Sequence, residues 1–215
     1  MSSLILYGYW RSSAAYRVRI ALNLKRLDYE QRSVHLIKHG GEQHSATFQR
    51  LNPSKLVPVL MDGDVCLNQS LAIIDYLDEQ YPEVLLTPSD PKTRYLVKAL
   101  AQDIAVDIHP LNNLRVLQYL TNEAQLSESA KGEWYRHWIE TGFSALEKKL
   151  AQTSGKYCVG DEISLVDVCL VPQVYNAERF NVNLEPFPTI RRVTSSLRLH
   201  PAFINAAPEQ QPDAV

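Results

Sequence analysis

Three short segments of the chain gather side chains that can do chemistry. The first is Arg11-Ser12-Ser13-Ala14-Ala15-Tyr16-Arg17, between an apolar run at Leu4–Tyr7 and a stretch in which Val18, Ala21 and Leu22 recur at helical spacing. A strand-to-helix junction points unpaired backbone N–H groups and hydroxyls at one spot, which suits an anion or a thiolate. The same serines also suit plain helix capping. The second segment pairs Val57-Pro58 with Gln69-Ser70. A Pro-interrupted strand exposes backbone to an extended peptide-like ligand, and the start of the following helix can receive a carboxylate; a turn and a cap would use these residues as well. The third is Asp107–Arg115, where His109 precedes Pro110. Its imidazole can exchange protons near neutrality, although a lone histidine is more often a surface or capping residue. Arg115 and Arg179 carry guanidinium groups able to grip a carboxylate bidentately, and simple solvation is their default role. The sequence has no Gly-x-Gly-x-x-Gly or Gly-Lys-Ser/Thr phosphate loop and no His/Cys cluster at metal-ligand spacing, so no metal is expected.

The elements that must hold these groups follow from pattern. Leu4–Tyr7 reads as a strand covered on both sides, and a helix begins at Ser12 or Ser13, either being a good N-cap. A second strand is expected at Tyr29–Leu36, a loop at Gly40-Gly41 and a turn at Leu51-Asn52-Pro53. Val57–Met61 and Asp64–Leu67 form a hairpin around Asp62-Gly63, in which Pro58 must take an edge or special, even cis, geometry. The next helix starts at Ser70, buries Leu71, Ile74 and Leu77, turns Asp75, Asp78 and Glu79 to water, and ends at Tyr81-Pro82. Pro82–Pro91 reads as a linker. Beyond it only helices are expected: within Pro91–Leu120 and Ser129–Gln152, at Val168–Val174 behind a Ser164/Asp167 capping box, and at Pro188–Leu199. The tail, Ala206–Val215, is expected to be extended or disordered. The fold class is thus an α/β domain, 1–83, followed by an all-α domain, 91–215.

Length and composition fit this plan. Of 215 residues 45% are apolar, enough for a core without disulfides or metals. A net charge of −2, from 22 basic and 24 acidic residues, gives no field for phosphate backbones, so nucleic acid is not an expected partner. No apolar run approaches the roughly 20 residues that span a bilayer, so no membrane segment is expected. The odd, scattered Cys66, Cys158 and Cys169 suit a reducing cytoplasm.

Ser12-Ser13 ahead of Arg17-Val18-Arg19-Ile20-Ala21-Leu22, Leu51-Asn52-Pro53 with Leu56-Val57-Pro58, Asn68-Gln69-Ser70-Leu71-Ala72-Ile73-Ile74 and Cys169-Leu170-Val171-Pro172-Gln173-Val174 together resemble the zeta class of glutathione transferases, in particular its maleylacetoacetate isomerases. The likeness runs from Leu4 to Asp213. It implies a thioredoxin-like N-terminal domain with a cis Pro58, an all-helical C-terminal domain, a homodimer and glutathione as cofactor. By position it implies that Val57 pairs with the cysteinyl part of glutathione, that Gln69 and Ser70 hold its γ-glutamyl carboxylate, and that Gln43 helps to fix the tripeptide. Ser12 then points its hydroxyl at the sulfur, within a binding segment that includes Ser13, Ala14, Ala15, Tyr16 and Arg17. Arg11 and Arg179 match positions facing an acidic substrate, while His109, Asn113 and Arg115 match a pocket or interface segment. The implied reaction is glutathione-dependent cis–trans isomerisation of 4-maleylacetoacetate. Maleylpyruvate isomerisation, conjugation of small electrophiles and a non-catalytic glutathione-binding module are the alternatives. One departure stands out: many members carry cysteine after the serine pair, and here that residue is Ala14.

Overall fold

The computed structural model describes residues 4–215; Met1–Ser3, the start of the range 1–83, lie outside the described residues. The chain packs as two units, one reaching to Leu86 and including Leu199–Val215, the other Thr87–Arg198. The range 91–215 therefore spans parts of both.

The first unit is built on a four-stranded mixed sheet, β1 (Leu4–Gly8), β2 (Tyr29–Ser33), β3 (Val59–Asp62) and β4 (Val65–Asn68), ordered β2-β1-β3-β4. β1 runs parallel to β2 and antiparallel to β3, and β3–β4 is the expected hairpin. This is the thioredoxin-like plan. β2 stops at Ser33, short of the expected Leu36. Because strand side chains alternate, the cross-strand neighbours Leu6 and Leu60 share one fully buried face. Tyr7 and Val59 share the other, in a cluster with Val34, Val57 and Phe48. Phe48 belongs to α2 (Ala46–Leu51), a six-residue helix that the sequence reading passed over as loop. Helices α1 (Ser13–Leu24) and α3 (Ser70–Gln80) pack against each other. Gly8 is where β1 meets α1: a methyl there would lie 3.2 Å from Ala15 Cβ.

Two polar clusters lie inside this unit. Lys25 Nζ, at the end of α1, sits 2.8 Å from Asp78 Oδ1 and donates to the carbonyls of Tyr81 and Val84, while Leu86 N donates to the Asp78 carboxylate. Asp78 is therefore buried, not turned to water as its place in the helical pattern suggested. Arg19 is also buried: Nε donates to Ala206 O at 3.0 Å and Nη2 to Trp10 O at 3.0 Å. Burial lowers its pKa to about 10, with the neighbouring Tyr29, Tyr16 and Asp213 opposing the drop. Helix α9 (Pro201–Ala206) packs on α1, and the tail continues into a 3-10 turn at Pro208–Gln210 with Gln211 buried. The tail expected to be extended or disordered is thus ordered and tied down.

The second unit is helical: α4 (Pro91–Gln102), α5 (Leu114–Asn122), α6 (Glu128–Thr153), α7 (Leu165–Arg179) and α8 (Pro188–Leu197). A π-helical stretch, Asp103–Ile108, and a 3-10 turn, His109–Asn112, join α4 to α5. The Ser164/Asp167 capping box of α7 is formed as expected. Asp167 also accepts from Cys158 N at 2.9 Å, and burial pushes the Cys158 thiol well up. Among the described residues no helix is long and apolar enough to cross a membrane.

Candidate active site

The loop Tyr9–Ser12 leads from β1 into α1. Ser12 is the N-cap: its Oγ accepts from Ala15 N at 3.2 Å. A hydroxyl that accepts a backbone proton still has its own to donate, and it sits where the helix N-terminus favours negative charge. Ser13, the first helical residue, is buried, and Ala14 is half-buried beside it. Arg11 stacks its guanidinium over Trp10, 4.4 Å from the ring centroid. Ala15 and Tyr16 are buried, the Tyr16 hydroxyl lying 3.5 Å from Phe203 O. Their structural part is packing that seats the start of α1.

Arg17 links this helix to the next. Its Nη1 donates to Ser70 Oγ at 3.3 Å, and both residues are buried. Ser70 opens α3. Gln69 before it is held at φ 69°, a conformation rare outside glycine, and its side chain does not cap the helix. The first-turn amides of an 11-residue helix thus lack a side-chain cap, the arrangement that receives a carboxylate. The Val57–Pro58 peptide is cis, and both residues are buried. Asn52 braces the segment leading to it: Nδ2 donates to Leu56 O at 2.8 Å, while Oδ1 accepts from Ser54 N at 3.0 Å and from Asn68 Nδ2 at 3.1 Å.

Gln43 is 6% exposed. Its Nε2 donates to Leu36 O at 3.2 Å, and its buried Oε1 has no hydrogen-bond partner among the described residues. Gly41 makes room for it: at φ 100° it would, with a Cβ, overlap the Gln43 amide. The turn before Gly41 is fixed by His35, whose Nδ1 accepts from Ile37 N at 3.3 Å and Lys38 N at 3.0 Å. An orphaned acceptor on Gln43, an uncapped α3 and a capped α1 with a spare O–H all fit a peptide-like ligand that carries a carboxylate and a thiol.

The remaining candidates lie in the second unit. His109 begins the 3-10 turn and is half-buried. Asn113 caps α5, its Oδ1 accepting from Arg115 N at 3.2 Å, and Arg115 is exposed. Arg179, in the last turn of α7, is exposed, with Nη1 3.4 Å from Asn176 Oδ1 and its guanidinium carbon 5.5 Å from the Phe180 ring. A cavity of about 640 Å³ in the first unit, bordered by Tyr7, Arg32, Phe48 and Arg50, includes none of Ser12, Gln43, Val57, Gln69 or Ser70.

The model of the glutathione S-transferase N-terminal domain matches residues 6–85, and that of the C-terminal domain matches residues 114–201. The chain belongs to the glutathione S-transferase family. Within this family the zeta class is the branch it resembles. It is 65% identical over 214 residues, covering 100% of both chains, to a probable maleylacetoacetate isomerase of Vibrio cholerae. A bacterial zeta-class maleylpyruvate isomerase, solved in its holo form, superposes with a TM-score of 0.95 at 46% identity, covering 98% of this chain and 100% of that one. A maleylacetoacetate isomerase of Methylobacterium extorquens AM1, solved with malonate and GSH bound, gives 0.94 at 39% identity, with 98% and 99% covered. The glutathione S-transferase fold is thus the α/β plus all-α architecture read from the sequence. His35 carries no signal in the sequence, and Asn52 and Gly41 read there only as turn and loop residues, whereas in the structure all three shape backbone around the site residues.

Proposed function

We propose that this chain is a glutathione-dependent cis–trans isomerase that converts 4-maleylacetoacetate to 4-fumarylacetoacetate in tyrosine and phenylalanine catabolism, working as a cytoplasmic homodimer. The observation that carries the reading is the Ser12 hydroxyl at the N-terminus of α1, in a chain that matches named isomerases along its whole length. Glutathione, held by the site residues, would supply a thiolate for reversible addition to the activated cis double bond, the π electrons passing to the conjugated carbonyl as an enol and returning when the thiolate leaves, so the tripeptide would be regenerated. Ser12 donates its hydroxyl proton to hold that sulfur ionised, with Ser13 and Ala14 beside it. Gln69 and Ser70 take the γ-glutamyl carboxylate at the start of α3, Val57 offers backbone to the cysteinyl part, and Gln43 fixes the remainder. Arg17 acts through Ser70. Arg11 and Arg179 are assigned to the carboxylates of the acidic substrate and His109 to the enol proton, with Asn113 and Arg115 in the adjoining segment. Ala14 puts no protein thiol at the third position of the serine segment, which excludes a covalent enzyme–substrate sulfur bond there and leaves the isomerisation to run on the sulfur of glutathione.

Maleylpyruvate, a shorter keto acid, is the second reading, favoured by the likeness to the maleylpyruvate isomerase structure. The deciding experiment follows loss of the cis absorbance of each acid with and without glutathione. Glutathione-dependent turnover that is faster with maleylacetoacetate supports the first reading, and the reverse order supports the second. Retention on immobilised glutathione with neither acid isomerised would leave a binding module, and equal rates without glutathione would refute the mechanism.

A further inference from the structure

The loop that delivers Ser12 is held both by its own turn and from distant parts of the chain. Ser12 N donates to Tyr9 O at 2.9 Å, closing a turn around Trp10 and Arg11. The peptide groups of that turn are held from distant parts of the chain. Trp10 N donates to Asp213 Oδ2 at 3.1 Å. On the carbonyl side, Arg19 reaches Trp10 O and Tyr9 O while its Nε binds Ala206 O. Asp213 is itself anchored on β2, accepting from Ser33 Oγ at 2.8 Å and from Gln31 Nε2 at 3.3 Å. Ala214 packs beside it against the cluster that contains Tyr9 and Trp10. One carboxylate therefore ties the loop carrying Arg11 and Ser12 to a strand that holds no proposed catalytic group. Among the described residues the Trp10 amide is the donor to Asp213 that belongs to that loop, and a hydrogen bond to an ionised acceptor is stronger and more directional than a neutral one.

We propose that Asp213 is a positioning residue for the isomerase reaction: by fixing the Trp10 peptide it sets the direction in which the Ser12 hydroxyl meets the glutathione sulfur. The inference rests on the role given to Ser12 above. The competing account is that Asp213 only fastens the tail. The two differ in what they do to the bound thiol, because fastening alone leaves the sulfur's ionisation untouched.

The test uses the full chain with Asp213→Ala and Asp213→Asn, measuring kcat, KM, thermal stability and the pH titration of bound glutathione by its thiolate absorbance. Asp213→Ala is expected to lower kcat about tenfold, the scale of a small misplacement of a reacting group, and to move the thiol titration upward. KM for glutathione should change less, since Gln69, Ser70 and Gln43 are untouched. Asp213→Asn, which retains an acceptor for Trp10 N, should recover most of kcat. An unchanged kcat and thiol titration in Asp213→Ala, with or without a fall in thermal stability, overturns the proposal. If Asp213→Ala does not fold, the double variant Gln31→Ala/Ser33→Ala loosens the same carboxylate. A smaller upward shift of the thiol titration then supports the proposal and an unchanged one overturns it. The titration needs only glutathione, so it reads the positioning role even if neither keto acid is turned over, the outcome that would instead sink the proposed function.

Discussion

Replacing Ser12 separates two jobs that one hydroxyl performs. Its oxygen caps α1 through Ala15 N at 3.2 Å, and losing such a cap costs about 1 kcal/mol of stability. Its proton is assigned to the sulfur. A free thiol with a pKa near 8.5 is only about 3% ionised at pH 7. A hydrogen bond to a charged partner contributes about 1.5–3 kcal/mol, equivalent to roughly one to two pKa units at 1.36 kcal/mol each. Ser12→Ala is therefore expected to raise the pKa of bound glutathione by roughly one to two units and to remove most turnover at neutral pH, while binding of the tripeptide changes little. Ser12→Asp sharpens the test. Aspartate caps helices as well as serine does, so stability should return, yet an ionised carboxylate has no proton to give and repels a thiolate. The assay pairs kcat with the absorbance titration of the bound thiol. Near-normal turnover in Ser12→Ala, or a low thiol pKa in Ser12→Asp, would refute the role of the hydroxyl.

Further consequences are open to simple measurement. Arg11→Ala and Arg179→Ala should each raise KM for the acidic substrate more than they lower kcat; steady-state kinetics that leave both constants unchanged would remove that arginine from the site. Lys25→Met takes the cation away from a buried carboxylate 2.8 Å distant and should destabilise the protein by about 3–5 kcal/mol in denaturant unfolding, with Asp78→Leu added in the double variant restoring much of the loss. The backbone and side chain of Thr93 hold the Asp90 carboxyl below its ordinary 3.8. A pKa lowered by folding means that the stabilisation is present above that ordinary value and is lost as pH falls through the folded one, so exchange protection at the start of α4, taken relative to the intrinsic amide rate at each pH, should fall in acid before that of the core.

What could be read without coordinates was what neighbours in sequence decide. The N-cap at Ser12, the start of α3 at Ser70, the special geometry at Pro58 and the Ser164/Asp167 box are all fixed by residues within a few positions of one another, and all are present. Helices α2 and α9 have six residues each, too few turns to show an apolar period, and both were missed. Asp78 kept its place in an amphipathic pattern but faces a lysine 53 positions earlier in the chain, paired at 2.8 Å. Arg19 and Ala206 are 187 positions apart, and Trp10 and Asp213 are 203 apart. Such pairings leave no local trace. The site follows the same rule: Ser12, Gln69 and Ser70 announce themselves at helix starts, whereas Asn52 and His35 act through backbone groups that only the folded chain brings to them.

The knot around Lys25 has a bearing on how the polypeptide leaves the sheet-bearing unit. Val84 and Leu85 are exposed there, yet the carbonyl of Val84 and the amide of Leu86 are tied to Lys25 and Asp78. The exit strap is secured by buried charge together with the buried side chain of Leu86. A protease can therefore reach the peptide bonds near Leu85, but a single nick would leave the downstream end still stapled at Leu86 by its amide and its buried side chain, and the cut chain should keep its native spectrum.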